Sequence, residues 1–405
     1  MEDFGQMLRR LRRERGMSLR RFAEVAGIDF GYVGQIERGE RRCSPEWAEI
    51  CDQTVGAGGA LVAAHRTESA TRTGAEVRRR TVLMGLALGA STPTVAVEAI
   101  RHGLDSSIGA GPDEWNMIAT DYARDFYTTP PARLVEQLGL DLTVLQHMLA
   151  AEPANRDLLR AAGQLAVIMA MALASTGQVD LARRWWRTAR RQADQSGDLD
   201  TRLWARDWET VNGTYERRPI RQILALADEA VTLANGRPCR GTAGVLSGRA
   251  QALAVAGRAD EATAALQTLS DVTDRLPAAV VADADSMFGW PEVRLRYTQS
   301  YVHTHVGDTA SAMAAQDRAL ELYPVDLARE RAQLQMHRAS CLIQAGHVAD
   351  GLRYAADVLD ELPVDQHNAL LYEVARQVVA TVPDADRRRV EAEDLRDRLV
   401  ALPAR

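Results

Sequence analysis

The chain has 405 residues, 46% of them hydrophobic, and a formal net charge of -6. That length exceeds one ordinary domain, and the apolar content with seven Trp builds an ample core. The acidic balance excludes a protein that coats nucleic acid over its whole surface, yet up to Arg42 ten arginines stand against seven acids. All 49 basic residues are arginine, the bias of a GC-rich coding genome of the actinobacterial kind. Few aromatics with much Ala, Leu and Arg predict an all-α protein.

Residues 1 to 52 read as a compact run of short helices. Ser18 and Asp29 are N-cap types at the head of two helical patterns, and Gly27 stands between them where a tight turn favours positive φ. Phe22, Ala23, Ala26, Ile28, Val33 and Ile36 fall at helical spacing and form a small core between two crossed helices. Arg9-Arg10-Leu11-Arg12-Arg13 suits a solvated face or phosphate contact equally.

This order resembles the Cro/C1-type, or XRE-family, helix-turn-helix domain, whose pattern also expects Leu8, Leu11, Arg12, Gly16, Glu37, Gly39 and Pro45, all present here. The resemblance implies a five-helix DNA-binding domain over 1–66 and an internal ion pair between Arg12 and Glu37. It also implies a third helix in the major groove, with Phe30, Gly31, Gly34 and Gln35 nearest the base edges. Ser18, Arg20, Arg21, Arg38, Arg41 and Arg42 would hold phosphates. One departure stands out: many members carry Gln at the second residue of helix two, where this chain has Leu19.

Residues 67–112 read as a linker with short helices. Within it, Arg78-Arg79-Arg80 followed by an apolar stretch to Ala90 is similar to a twin-arginine export signal. Its internal position argues against export, and the stretch is too short and glycine-broken to span a bilayer.

From 113 to 405 amphipathic helices alternate with short breaks. Gly177, Gly213, Gly257, Gly307 and Gly346 recur at 36, 44, 50 and 39 residues, near the period of helix-pair solenoids. Ala319-Leu320-Glu321-Leu322-Tyr323-Pro324, Leu276-Pro277 and Leu362-Pro363 close neighbouring units. The pattern resembles the tetratricopeptide (TPR) repeat, which implies a C-terminal α-solenoid of five to seven irregular units with a concave face open to a peptide or small molecule.

Two stripes at i, i+4, i+8 are candidates for that face: Trp204, Trp208 and Asn212, and Tyr297, Tyr301 and His305, with Arg294 nearby. The same spacing suits core packing, as does the Trp185-Trp186 pair. His303 and His337 are candidate pH sensors. Cys43, Cys51, Cys239 and Cys341 lack metal-ligand spacing, so free thiols in a reducing cytosol are expected, with no metal and no cofactor. No phosphate loop, HExxH or GxSxG is present in the sequence, so catalysis is not expected.

The combination resembles signal-responsive bacterial regulators. It predicts a cytoplasmic transcriptional regulator, not bound to a membrane, that binds a double-stranded operator as a homodimer and senses an effector. The alternative is a TPR protein-interaction scaffold or sensor whose N-terminal domain does not select an operator.

Overall fold

The structure, a computed structural model, describes residues 3–39, 41, 43–66 and 112–400. Residues 67–111 of the segment read as a linker, its arginine run, and Arg42 lie outside them, while Pro112 begins a helix. Every regular element among the described residues is helical. The chain divides into two compact units, Met1–Leu104 and Asp105–Arg405.

The described part of the first unit contains α1 (Phe4–Glu14), α2 (Leu19–Ala26), α3 (Phe30–Glu37), α4 (Pro45–Val55) and a fifth helix, α5, over residues 60–66. Each cap forms as the sequence predicts. Ser18 Oγ accepts from Arg21 N at 3.2 Å, Asp29 Oδ1 accepts from Tyr32 N at 3.0 Å, and Gly27 turns the chain at φ +66°. Phe22, Ala23, Ile28, Val33 and Ile36 are buried together with Leu8, Cys51 and Leu61, while Ala26 packs at the edge of that core. The expected ion pair also forms: Arg12 Nε and Nη2 donate to Glu37 Oε1 and Oε2 at 2.6 and 2.8 Å, tying α1 to the end of α3. At Gly5 a Cβ would lie 2.2 Å from the Ile36 carbonyl, so the α1–α3 crossing needs a glycine there.

The second unit begins with α6 (Pro112–Asp125) and α7 (Pro131–Ala151), then α8 (Arg156–Ser175), α9 (Val179–Ser196), α10 (Leu199–Tyr215) and α11 (Ile220–Ala234). It continues through α12 (Arg240–Val255), α13 (Ala259–Thr273), the short α14 (Ala278–Ala282), α15 (Glu292–Val306) and α16 (Thr309–Leu322). The final elements are α17 (Ala328–Gln344), α18 (Val348–Glu361), α19 (Ala369–Ala380) and α20 (Val390–Val400). From α8 onward these are antiparallel hairpins stacked so that first helices touch first helices: α8 on α10, α10 on α12, α12 on α15, α15 on α17, and α17 on α19. The array is a helical solenoid.

The stack also curls until α19 meets α8 and α10, which places the first helices around a common interior. By length and composition α8 could cross a membrane, but 89% of its apolar window is buried inside this unit.

Gly177, Gly257, Gly307 and Gly346 take φ between +70° and +89° at the hairpin turns, as predicted. Gly213 does not belong with them. It lies inside α10 against Ile223, and Arg217 at φ 52° makes that turn instead. The chain ends the second helices at Leu322, Thr273 and Glu361, just before the Pro-containing closures.

Candidate functional site

In the first unit, α2 and α3 present one outward face. Phe30 is 50% exposed at the first residue of α3, with the Arg20 guanidinium 5.6 Å from its ring centre. Gly31 is open except for the Asp29 carboxylate, and Gln35 is half-buried one turn further on. Arg38 is exposed at the helix end, and Arg41 lies 4.8 Å over the Tyr32 ring. Arg21 is exposed and pairs with Glu24 at 2.8 Å, a surface contact worth little stability.

Ser18 caps α2, so its position is that of a helix N-terminus whose backbone N–H groups suit a phosphate. Tyr32 was not singled out in the sequence; its ring orients Arg41, and its place two residues into α3 was the available signal.

One expected base-reading residue is displaced. Gly34 is buried, and a Cβ there would meet Leu19 Cδ2 and Arg38 Nη1 at 3.3 Å. It is a packing position, and the Leu19 side chain rests against it.

In the second unit the interior holds a half-open cavity of about 130 Å3. Trp208, Asn212, Arg294 and Tyr297 line it, as the two stripes predict. Trp204, Tyr301 and His305 do not line it. Trp204 donates from Nε1 to the Met287 carbonyl at 3.1 Å, stacks on Phe288 at 4.7 Å, and borders a different pocket. Tyr301 is fully buried and stacked on His305 at 4.2 Å, with Tyr215 edge-on at 6.0 Å. These three are core residues, because one end of each stripe is covered by packing from neighbouring elements. Trp186 is likewise core, donating to Glu216 Oε1 at 2.7 Å.

Beyond Arg294, sequence reasoning missed the cavity's charged residues. Arg240 on α12 pairs with Asp207 on α10, and Arg329 pairs with Glu330 at 3.2 Å at the start of α17. Arg329 also donates to the Phe126 and Tyr127 carbonyls, which closes one side of the cavity with the end of α6. Burial raises the Asp207 carboxyl to about 7 against the pull of Arg240, and it raises Glu330 as well. One signal for Asp207 was available: Arg206-Asp207-Trp208-Glu209 places charge on every face of a helix, so some of it must be buried.

His337 is buried against Tyr297 and Tyr301, with Nδ1 2.9 Å from Ser300 Oγ, and burial pushes it down to about 3. It is neutral across physiological pH and is no sensor there. His303, 3.5 Å from Asp308, is also held below its ordinary value by burial.

Residues 3–64 match the family model described as a helix-turn-helix domain. No curated protein and no solved structure matches the chain. The first unit therefore carries a helix-turn-helix domain, which supports DNA binding, and the described elements of the second unit are all helical.

Proposed function

We propose that the protein is a sequence-specific transcriptional regulator of the XRE type, not an enzyme, which works in the cytoplasm as a homodimer on a palindromic operator. The observation that carries this reading is the outward face of the helix-turn-helix domain. An exposed aromatic and an open backbone at Gly31 head α3, the Gln35 amide lies one turn on, and Arg20, Arg21, Arg38 and Arg41 surround them.

Such a face separates reading from clamping: α3 enters the major groove while arginines and the α2 N-terminus grip the backbone. The Gln35 amide matches the N6/N7 edge of adenine, and the Phe30 ring suits a thymine methyl. The C-terminal array, TPR-like in its hairpins, supplies dimerisation and an interior where an effector acts. The aromatic and charged residues that line this interior, Trp208, Arg240 and Arg294 among them, support a sensing role for the array.

Electrophoretic shift with the DNA upstream of the protein's own gene tests the reading. A discrete shifted complex that unlabelled random DNA does not compete supports it; retardation competed equally by any sequence contradicts it.

A further inference from the structure

The interior of the C-terminal unit is polar, aromatic and small, and its charges do not cancel. Asp207 is taken by Arg240 and Glu330 by Arg329, which leaves Arg294 with no carboxylate within ion-pair distance among the described residues. Its guanidinium sits 5.3 Å over the Trp208 ring and is held from behind by the Tyr127 hydroxyl and, at 3.2 Å, by the Ser286 carbonyl.

Arg294 Nε and Trp208 Nε1 are buried donors without a partner here, and the same lining holds Arg240 Nε and the acceptors Asp207 Oδ1, Gln251 Oε1 and Glu330 Oε2 in the same condition. Buried donors are normally hydrogen-bonded, and an isolated buried cation is costlier still. Tyr127, Trp290, Tyr297 and Tyr323 complete an aromatic wall around them. A cavity of about 130 Å3 is close in size to the engineered cavity of about 150 Å3 that holds benzene. That is room for about one ring.

We propose that this cavity binds a single-ring organic monoanion, its carboxylate meeting Arg294 Nε and Trp208 Nε1 and its ring lying within the aromatic wall. The proposal rests on the effector role given above to the C-terminal unit and names the chemistry of the effector. The anion supplies the one negative charge the lining lacks, and its two oxygens accept from Arg294 Nε and Trp208 Nε1. Because burial raises Asp207 and Glu330 rather than lowering them, the excess of positive charge persists as pH falls through neutrality.

Isothermal titration calorimetry of the full chain with benzoate, phenylacetate and 4-hydroxybenzoate, set beside benzyl alcohol and benzylamine, tests the assignment. At least one anion should bind about tenfold or more tighter than both counterparts, and Arg294→Gln should weaken it by about tenfold or more. The assignment is overturned if none of the three anions binds at millimolar concentration, if the neutral or cationic ring binds as tightly, or if a folded Arg294→Gln chain binds unchanged. Should that variant fail to fold, the charge series on the native chain decides alone. Operator shifts with the same compounds report separately on regulation: binding that leaves DNA affinity unaltered keeps the cavity assignment and removes the effector reading.

Discussion

Arg12 and Glu37 are 7% and 8% exposed, and each satisfies the other through two hydrogen bonds, so either alone would be an uncompensated buried charge. The bond to Glu37 accordingly holds the Arg12 guanidinium above its ordinary value. Glu37→Ala should cost about 3–5 kcal/mol, the penalty of breaking a buried pair from one side. Hydrogen exchange read by mass spectrometry should then show protection lost in peptides of residues 3–64 and retained in those of the second unit; unchanged protection in 3–64 would show that the pair is dispensable. This pair was legible from the sequence because the pattern the chain resembles carries both positions. His337 was not legible, since nothing in its own neighbourhood shows that Tyr297 and Tyr301 close over it. Its folded value of about 3 lies below the ordinary 6.5. Below about pH 6.5 the unfolded chain takes up a proton that the folded chain refuses, so stability falls toward pH 3 at about 1.36 kcal/mol per pH unit from this group. Thermal unfolding at pH 7 and pH 5 should therefore show a smaller acid loss for His337→Gln than for the native chain, and equal losses would contradict the assignment.

At the scale of elements, the close approach of α10 and α12 rests on Gly241, Gly244 and Gly248, which meet Leu203, Asp207 and Thr210 in turn. A Cβ at Gly244 would fall 2.2 Å from Asp207 Oδ1 and 2.6 Å from Arg240 Nη1, inside the ion pair that borders the cavity. Gly244→Ala should thus destabilise the second unit by about 1–3 kcal/mol, whereas Gly139→Ala in α7, with nothing within 4 Å of the new Cβ, should be neutral or stabilising by up to about 1 kcal/mol. Denaturant midpoints separate the two; a harmless Gly244→Ala would mean that the helices can shift apart. The hairpins themselves were readable from turn glycines and Pro closures, which are local signals. The glycine face of α12 is also visible in sequence, as three glycines at helical spacing, but its partner helix is not. Gly213 shows the limit: a recurring glycine at the right interval looks the same whether it turns the chain or lets Ile223 pack.

Over the whole molecule, the fold of the helix-turn-helix domain was largely legible because its caps, turn and core lie within one contiguous stretch. The cavity was only half legible, because it joins Phe126 and Tyr127 to Arg329, about 200 residues away, through a curl of the array that no local pattern encodes. On the DNA-reading face, Gln35→Ala should cost about 1–3 kcal/mol on the preferred site and little on other DNA. Arg41→Ala should weaken all sequences alike and reduce the salt slope by about one. The measurement that bears most directly on the account is selection of the full chain against random double-stranded DNA, repeated with Gln35→Ala. The account predicts an enriched motif of two inverted half-sites one helical turn apart, about 10 base pairs centre to centre, and loss of preference at one position of each half-site in the variant. Failure to enrich any sequence, or an identical motif from Gln35→Ala, would contradict it.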